Sequence, residues 1–256
     1  MSRNLTVHLL PTLFESAELK GGIAVVTDVL RATTTVAYGF QNGAHSICPC
    51  ETIEEAFAFR EGATGGSAVL LGGERGGEPI AGFDLGNSPS EWSRQTVADR
   101  EIAFTTTNGT RALLRSAMAD RIVCGAFANL QVVCDLLNKE SRPVHIVCAG
   151  TVGKVSTEDC LFAGALVDLL LENGLQGEQS GDQRWITCDA ARLVLAHWKT
   201  VAREPDGLFQ AMKAGSGGRN LMRLGLEADI RTAAALDQVD LVPEYLPQSR
   251  RISSSW

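Results

Sequence analysis

The chain has 256 residues, of which 45% are hydrophobic and 21% charged, and its formal net charge is −7. This length and composition are typical of a globular protein with a sizeable buried core. The acidic balance argues against broad nucleic-acid binding, although a local basic pocket can still bind a small anion. The polar N-terminal residues and short apolar runs indicate neither a signal peptide nor a membrane span, so we expect a cytoplasmic protein with no membrane partner.

Short apolar runs predict seven β-strands. Most of these runs are continuous, which is typical of strands that helices cover on both faces of a parallel sheet. The predicted strands span residues 5–10, 23–30, 46–49, 68–71, 101–107, 121–126 and 144–149.

Helical patterns lie between and after these strands. The sequence Thr52-Ile-Glu-Glu55 is a capping box that opens a helix ending near Gly62, and Ser88-Pro-Ser-Glu91 repeats the pattern. Further predicted helices span residues 110–118, 130–137, 157–172, 188–202, 206–212 and 218–236. The alternation predicts a layered α/β/α fold with a mostly parallel sheet and an active site in loops at the carboxyl ends of the strands.

The domain organisation predicted from the sequence is one domain over residues 1–247, and lobes 1–98 and 99–247 are an alternative. Residues 176–184 are polar and glycine-rich, and we expect an exposed loop there. Residues 248–256 are expected to form a flexible tail. The sequence does not determine the oligomeric state, and a homo-oligomer is compatible with it.

Several familiar catalytic signatures are absent from the sequence. It contains no phosphate-binding Gly-x4-Gly-Lys-Ser/Thr loop, no dinucleotide fingerprint and no nucleophile elbow. The seven cysteines lie mostly in apolar runs without zinc-ligand spacing, and the four histidines lie far apart. Leu30 stands where an aspartyl phosphatase of the haloacid-dehalogenase type has its second acid, which counts against that chemistry.

The loop after the second predicted strand carries an acid, a base and three threonines in the segment 28–35. Asp28 could ligate a hard cation or attack phosphorus directly, and Arg31 could pair with phosphate through its planar guanidinium. Thr33 and Thr34 could donate hydrogen bonds to a substrate. The alternative is that Asp28 and the threonines only cap the following helix.

The segment 72–88 places Glu74 and Arg75 between two glycine pairs, where the backbone can approach a ligand closely. Glu74 could hold a metal ion and Arg75 an anion; the alternative is an exposed turn with an ion pair. Asp84 is a further candidate metal ligand. The capping box explains Asn87 and Ser88 well, and both are also assigned to substrate binding.

The segment 105–111 ends a predicted strand with three threonines and then begins a helix. Free backbone N–H groups at a helix start point at an anion, and Arg111 adds a permanent positive charge. The alternative is an ordinary strand–turn–helix connection. The substrate-binding residues predicted here are Thr106, Thr107, Asn108, Gly109 and Thr110.

The segment 149–159 combines Thr151, Lys154 and the pattern Ser156-Thr-Glu-Asp159. The pattern fits helix capping by Ser156. Glu158 and Asp159 would repel a bare anion, but Mg²⁺ between them and a phosphate would reverse that repulsion. We assign Thr151 to substrate binding, and Lys154 is a further phosphate contact to consider.

Five motifs in this order resemble the 2-phosphosulfolactate phosphatase (ComB) family. They are Asp28-Val-Leu-Arg-Ala-Thr-Thr34, Gly72-Gly-Glu-Arg-Gly76, Gly82-Phe-Asp-Leu-Gly-Asn-Ser-Pro89, Thr105-Thr-Thr-Asn-Gly-Thr-Arg-Ala112 and Ala149-Gly-Thr with Glu158-Asp159. The resemblance covers residues 27–243. It implies a Mg²⁺-dependent phosphomonoester hydrolase that converts (2R)-2-phospho-3-sulfolactate to 3-sulfolactate on the route to coenzyme M.

This resemblance and the polar loops together define the predicted site. The catalytic residues are Asp28, Arg31, Glu74, Arg75 and Arg111, and the three arginines are expected to converge on one pocket. The Mg²⁺ ligands are expected among Asp28, Glu74, Asp84, Glu158 and Asp159. Two alternatives remain: a phosphatase for another 2-phospho-hydroxy acid, and a non-catalytic sensor of a phosphorylated metabolite.

Overall fold

The computed structural model describes residues 3–63, 69–176 and 185–255. Eleven strands in this part of the chain form one sheet, in the order β5-β4-β6-β3-β11-β10-β7-β2-β8-β1-β9. The strands are β1 (Arg3–His8), β2 (Ile23–Thr27), β3 (Ser46–Pro49), β4 (Leu70–Arg75), β5 (Glu78–Pro79), β6 (Glu101–Thr105), β7 (Arg121–Gly125), β8 (Val144–Cys148), β9 (Trp185–Thr187), β10 (Val242–Leu246) and β11 (Arg251–Ser255).

Ten α-helices connect or follow the strands in the described ranges. They are α1 (Ala32–Gln41), α2 (Ile53–Gly62), α3 (Arg94–Val97), α4 (Gly109–Arg115), α5 (Leu130–Asn138), α6 (Thr157–Gln176), α7 (Asp189–Val201), α8 (Gly207–Ala214), α9 (Ser216–Arg223) and α10 (Glu227–Ala233). None of these helices is both long enough and apolar enough to cross a membrane.

Helices cover both faces of the sheet, which confirms the predicted layered α/β fold. In β2, Ile23 and Val25 pack into one apolar core, while Ala24 and Val26 pack into the core on the opposite face. Every residue of β2 is buried. The continuous apolar run in the sequence therefore reflects a strand that is enclosed on both sides.

Ten of the eleven strands form two parallel groups joined by an antiparallel hairpin, and β5 pairs antiparallel with β4 at one edge. Strands β4, β6 and β3 are parallel to one another, as are β7, β2, β8, β1 and β9. The hairpin β10–β11 lies between the groups and pairs antiparallel with β7 and β3. The sequence predicted the parallel strands but missed this hairpin.

The structure therefore corrects the prediction of a flexible tail for residues 248–256. Arg251–Ser255 form an interior strand, and Ile252, its second residue, is completely buried opposite Ile47. In the sheet, strands that precede Ala98 in the sequence alternate with strands that follow it. A division into lobes 1–98 and 99–247 would instead keep these two sets of strands apart. The loop expected at 176–184 lies outside the described residues except for Gln176, which ends α6.

Several element boundaries also differ from the sequence-based prediction. The second strand ends at Thr27 instead of residue 30, which leaves Asp28 in a loop. Strand β4 continues through Glu74 and Arg75, so these residues end a strand and do not lie in a turn. The predicted helix 218–236 is divided into α9 and α10, because Gly225 adopts a left-handed conformation with φ of 75°.

Candidate active site

The loop after β2 is closed by the threonines at the start of α1. The Thr33 hydroxyl donates to the Asp28 carbonyl oxygen at 3.0 Å, and the Thr34 hydroxyl donates to the Val29 carbonyl oxygen at 2.8 Å. Both hydroxyls are buried, and neither lines a cavity described below. The structure thus gives Thr33 and Thr34 the role of shaping the Asp28 loop, in place of the predicted substrate contacts.

Glu74 at the end of β4 binds the loop that follows β6. One carboxylate oxygen accepts from the Thr107 backbone N–H at 2.7 Å, and the other accepts from the Gly77 N–H at 2.6 Å. The Thr107 hydroxyl adds a third contact at 3.2 Å. Because Glu74 is only 7% exposed, these hydrogen bonds fix the two loops to each other.

The β6–α4 loop packs directly against the Asp28 loop at Gly109. A Cβ added to Gly109 would lie 2.7 Å from the Ala32 Cβ and 2.9 Å from Asp28 Oδ2, so only glycine permits this approach. In the same loop, Asn108 Oδ1 accepts from the Val152 backbone N–H at 3.1 Å. The loops after β2, β4, β6 and β8 therefore meet, as the sequence predicted.

The two acids at the start of α6 have different environments. Both oxygens of the buried Asp159 accept backbone hydrogen bonds, from Val29 and Gly150, each at 2.9 Å. Glu158 is 1% exposed, and its Oε2 atom has no hydrogen-bond partner. Gly217 lies against Glu158 Oε1 so closely that any side chain there would collide with the carboxylate. Asp159 thus joins two loops, while Glu158 retains an unused buried oxygen.

Arg31 is held by Asp229, a residue that the sequence does not predict to be part of the site. Its Nη1 donates to Asp229 Oδ2 at 2.6 Å, and the two side chains are 4% and 5% exposed. Nη2 donates to the Gly77 carbonyl oxygen at 2.9 Å. The other Asp229 oxygen accepts from the Ser88 hydroxyl at 2.6 Å. In the sequence, Asp229 looks like an ordinary acid in the first turn of a helix, so no local signal identifies it.

The Ser88 contact also corrects the predicted capping role of Ser88 and Asn87. No side chain caps the short 3-10 helix Pro89–Glu91, because Ser88 binds Asp229 and the Glu91 carboxylate accepts from the Gly86 N–H. Asn87 is 4% exposed, and its Oδ1 atom has no hydrogen-bond partner. Asn87 is therefore a buried polar group that faces the cavity between the loops.

That cavity has a volume of about 300 Å³ and lies between the four loops and helix α9. Seven predicted site residues line it, namely Asp28, Arg31, Glu74, Asn87, Thr107, Asn108 and Thr151. Helix α9 adds residues that were not predicted, Ser216, Gly217, Asn220 and Leu221. The run Gly215-Ser-Gly-Gly218 was the sequence signal available for them, since clustered glycines before a helix permit close ligand approach.

Other predicted site residues lie outside this cavity. Asp84 is displaced to a surface ion pair with Arg60 at 3.2 Å and also accepts from the Leu71 N–H, which corrects its assignment as a metal ligand. Lys154 is exposed and does not line the cavity. Arg75 and Arg111 line a separate cavity together with Thr106 and Thr110, so the three arginines do not converge on one pocket.

Mutual repulsion and burial disfavour the ionised form of the acids near the cavity. Burial raises the pKa of Asp28 well above its usual value, and the nearby charges of Asp159, Glu74 and Glu158 raise it further. Burial, followed by the charge of Asp159, raises the pKa of Glu158 to about 8. Burial also raises the pKa of Asp159 to about 6, against the opposing effect of its hydrogen bonds. The cluster is thus suited to a positively charged partner.

A Mg²⁺ ion bound at this cavity would have few protein ligands. In the described ranges, no three Asp, Glu, His or Cys side chains are grouped so that they could hold a metal ion by themselves. Mg²⁺ commonly binds one or two carboxylates and completes its shell with water and phosphate oxygens. Asp28 lines the cavity, and Glu158 has an unpartnered buried oxygen, so these two are the best available donors.

Comparisons with known proteins agree with the motifs. The family model for 2-phosphosulpholactate phosphatase matches residues 8–247. A protein of Deinococcus radiodurans is 40% identical over 227 residues, covering 88% of each chain. One of Caldicellulosiruptor saccharolyticus is 38% identical over 232 residues, 89% of this chain and 90% of its own. One of Carboxydothermus hydrogenoformans is 34% identical over 252 residues, 98% of this chain and 97% of its own. All three are named probable 2-phosphosulfolactate phosphatase. The chain belongs to the 2-phosphosulfolactate phosphatase family.

Proposed function

We propose that this protein hydrolyses (2R)-2-phospho-3-sulfolactate to 3-sulfolactate and phosphate in the cytoplasm, as a step towards coenzyme M. The main structural support is a single cavity lined by Asp28, Glu74 and Arg31, with Glu158 behind it. A phosphate monoester needs positive charge for its oxygens and a group that delivers or activates the attacking oxygen. The names of the relatives support the choice of substrate.

In this proposal, Arg31 binds the phosphate group. Asp229 and Gly77 use one N–H from each terminal nitrogen, which leaves further guanidinium N–H groups for a ligand in the cavity. Asn87 and Asn108 also line the cavity. The buried pairing with Asp229 keeps the guanidinium in place before the substrate arrives, which lowers the entropic cost of binding.

We further propose that activity depends on Mg²⁺, held by Asp28 and Glu158. The alternative acids are less suitable, because both oxygens of Glu74 and of Asp159 already accept N–H groups. When bound, Mg²⁺ would polarise a phosphoryl oxygen and offset the repulsion among the acids. Glu74 and Asp159 then serve to hold the loops that carry the reacting groups.

The proposal is tested by measuring phosphate release from 2-phosphosulfolactate with Mg²⁺ and with EDTA. We expect Asp28→Asn and Glu74→Gln each to abolish turnover, because one removes a reacting carboxylate and the other separates two loops of the site. Asp84→Asn is the matched control, since Asp84 lies in a surface ion pair outside the cavity. If the Asp28 and Glu74 variants both turn over normally, the site is assigned incorrectly. A protein that binds the substrate but releases no phosphate would be a sensor.

The role of Asp28 can be separated into metal binding and nucleophilic attack. An acid-stable phosphoenzyme that is trapped by rapid quench and lost in Asp28→Asn would show direct attack by Asp28. If no such species forms, and ¹⁸O from water enters phosphate in a single turnover, the attacking oxygen comes from water. A panel of 2-phospho-hydroxy acids compared by kcat/KM would show whether the sulfonated substrate is preferred.

A further inference from the structure

A second cavity of about 140 Å³ adjoins the first one at Thr107. Thr107 lines both cavities, and Glu74, whose carboxylate accepts from the Thr107 N–H, lines the first. The second cavity is lined by two arginines, three threonines and one acid, namely Arg75, Arg111, Thr106, Thr107, Thr110 and Glu51. The shared lining residue makes the two cavities neighbours, and a substrate with two charged groups has a use for both.

The two arginines of the second cavity differ in how they are held. Arg75 is positioned by the Glu74 carbonyl oxygen and by the Thr105 hydroxyl, each at 2.8 Å. Arg111 is exposed, and its side chain makes no hydrogen bond or ion pair with any residue in the described part of the chain. All five of its N–H groups are thus available to a ligand.

The threonines add a free hydroxyl donor to this cavity. The hydroxyls of Thr106 and Thr110 lie 3.3 Å apart, and each accepts a hydrogen bond from the backbone N–H of the other residue. Only one hydroxyl proton can be shared between the two oxygens, so the other proton remains available for a ligand. The sequence predicts Thr106 and Thr110 as substrate contacts, and in the structure both line this cavity.

The second cavity can bind an anion but has few means to hydrolyse it. Asp28 does not line it, and Glu51 is its single acidic lining residue in the described chain. The second cavity has two arginines and one carboxylate among its lining residues, so its formal charge is positive. The first cavity has two carboxylates, Asp28 and Glu74, and one arginine, Arg31. An anion in the second cavity would be held in place while a neighbouring group reacts in the first.

We propose that the second cavity binds the sulfonate of the substrate and that Arg111 determines specificity for sulfonated phosphoesters. The inference rests on the proposed function. A sulfonate keeps its negative charge at all physiological pH values and offers three acceptor oxygens, which suit the fork of an arginine. Arg75 and the Thr106–Thr110 pair complete the subsite, and the phosphate ester lies in the cavity that contains Asp28.

The test compares two substrates that differ only in the sulfonate, 2-phosphosulfolactate and 2-phospholactate. Because hydrogen bonds to charged groups contribute about 1.5–3 kcal/mol, Arg111→Ala should lower kcat/KM for the sulfonated substrate by about 10- to 100-fold. For 2-phospholactate the change should be less than about 3-fold, since the proposed phosphate contacts in the first cavity remain. Arg111→Lys should restore part of the lost discrimination, and Arg203→Ala, an exposed arginine outside both cavities, should change neither value.

An equal loss for both substrates would overturn the proposal, because Arg111 would then bind a group that both molecules share. No loss for either substrate would overturn it as well. Failure of the proposed function is a separate result, in which wild-type protein releases no phosphate from 2-phosphosulfolactate. In that case calorimetry with 3-sulfolactate and lactate still tests the subsite: 3-sulfolactate should bind the wild type more tightly than lactate does, and Arg111→Ala should abolish the difference. Equal binding of the two acids to the wild type would refute it.

Discussion

Asp229→Asn should strongly destabilise the protein, because it leaves the buried charge of Arg31 without a counter-ion. The two side chains are 4% and 5% exposed and lie 2.6 Å apart, so solvent does not screen the pair. Removal of one partner from a buried ion pair costs about 3–5 kcal/mol, and the remaining Gly77 contact places our expectation near 3 kcal/mol. Activity should also fall, since Arg31 lines the cavity.

Urea unfolding of the wild type and the variant measures this change in the free energy of unfolding, provided that the two proteins have the same m-value. The matched control is Asp168→Asn, in the partly exposed pair with Lys199, where the side chains are 18% and 52% exposed. An exposed pair contributes about 0.2–1 kcal/mol, so the control should stay below 1 kcal/mol. The double variant Arg31→Met, Asp229→Asn should lose less stability than the sum of the single changes. If Asp229→Asn costs no more than the control, the pair does not fix Arg31 and our reasoning is wrong.

Three further predictions follow from the same contacts. In metal-free protein, the pKa of Glu158 is raised from 4.5 to about 8, so between these pH values the folded state binds more protons than the unfolded state. The Tm of metal-free protein should therefore fall as the pH rises through this range. If Mg²⁺ binds as proposed, it displaces those protons, so its stabilising effect in thermal scans should increase over that range. A metal-free Tm that rises instead would contradict the pKa shifts. Gly109→Ala should lower activity and destabilise the protein by about 1–3 kcal/mol, because its Cβ would displace Asp28, whereas Gly62→Ala, with no atom within 4 Å of its added Cβ, should be close to neutral in stability. Ile252→Ala should lower the free energy of unfolding by about 2–5 kcal/mol, as expected for a completely buried side chain, and Leu246→Ala, at 40% exposure, by much less; a flexible tail would show no such difference.

The sequence by itself determined the layered architecture and the general position of the site. Continuous apolar runs such as Ile23–Thr27 identify strands that are covered on both faces, since only an enclosed strand can be apolar at every position. Polar loops that follow such strands indicate where a ligand can bind. Local patterns of this kind predicted the Asp28 loop and the segments that carry Glu74, Thr107 and Thr151, all of which line one cavity.

The tertiary structure alone decided which side chains meet. Arg31 and Asp229 are 198 residues apart in sequence, and nothing local in either segment specifies their contact. Arg75 and Arg111 looked equivalent to Arg31 in the sequence, yet in the fold they line a separate cavity. The serine-rich end of the chain has little apolar character, and it becomes a strand only because β3 and β10 supply hydrogen-bond partners on both sides. Pairing across long sequence separations depends on the arrangement of the whole sheet, so local composition cannot reveal it.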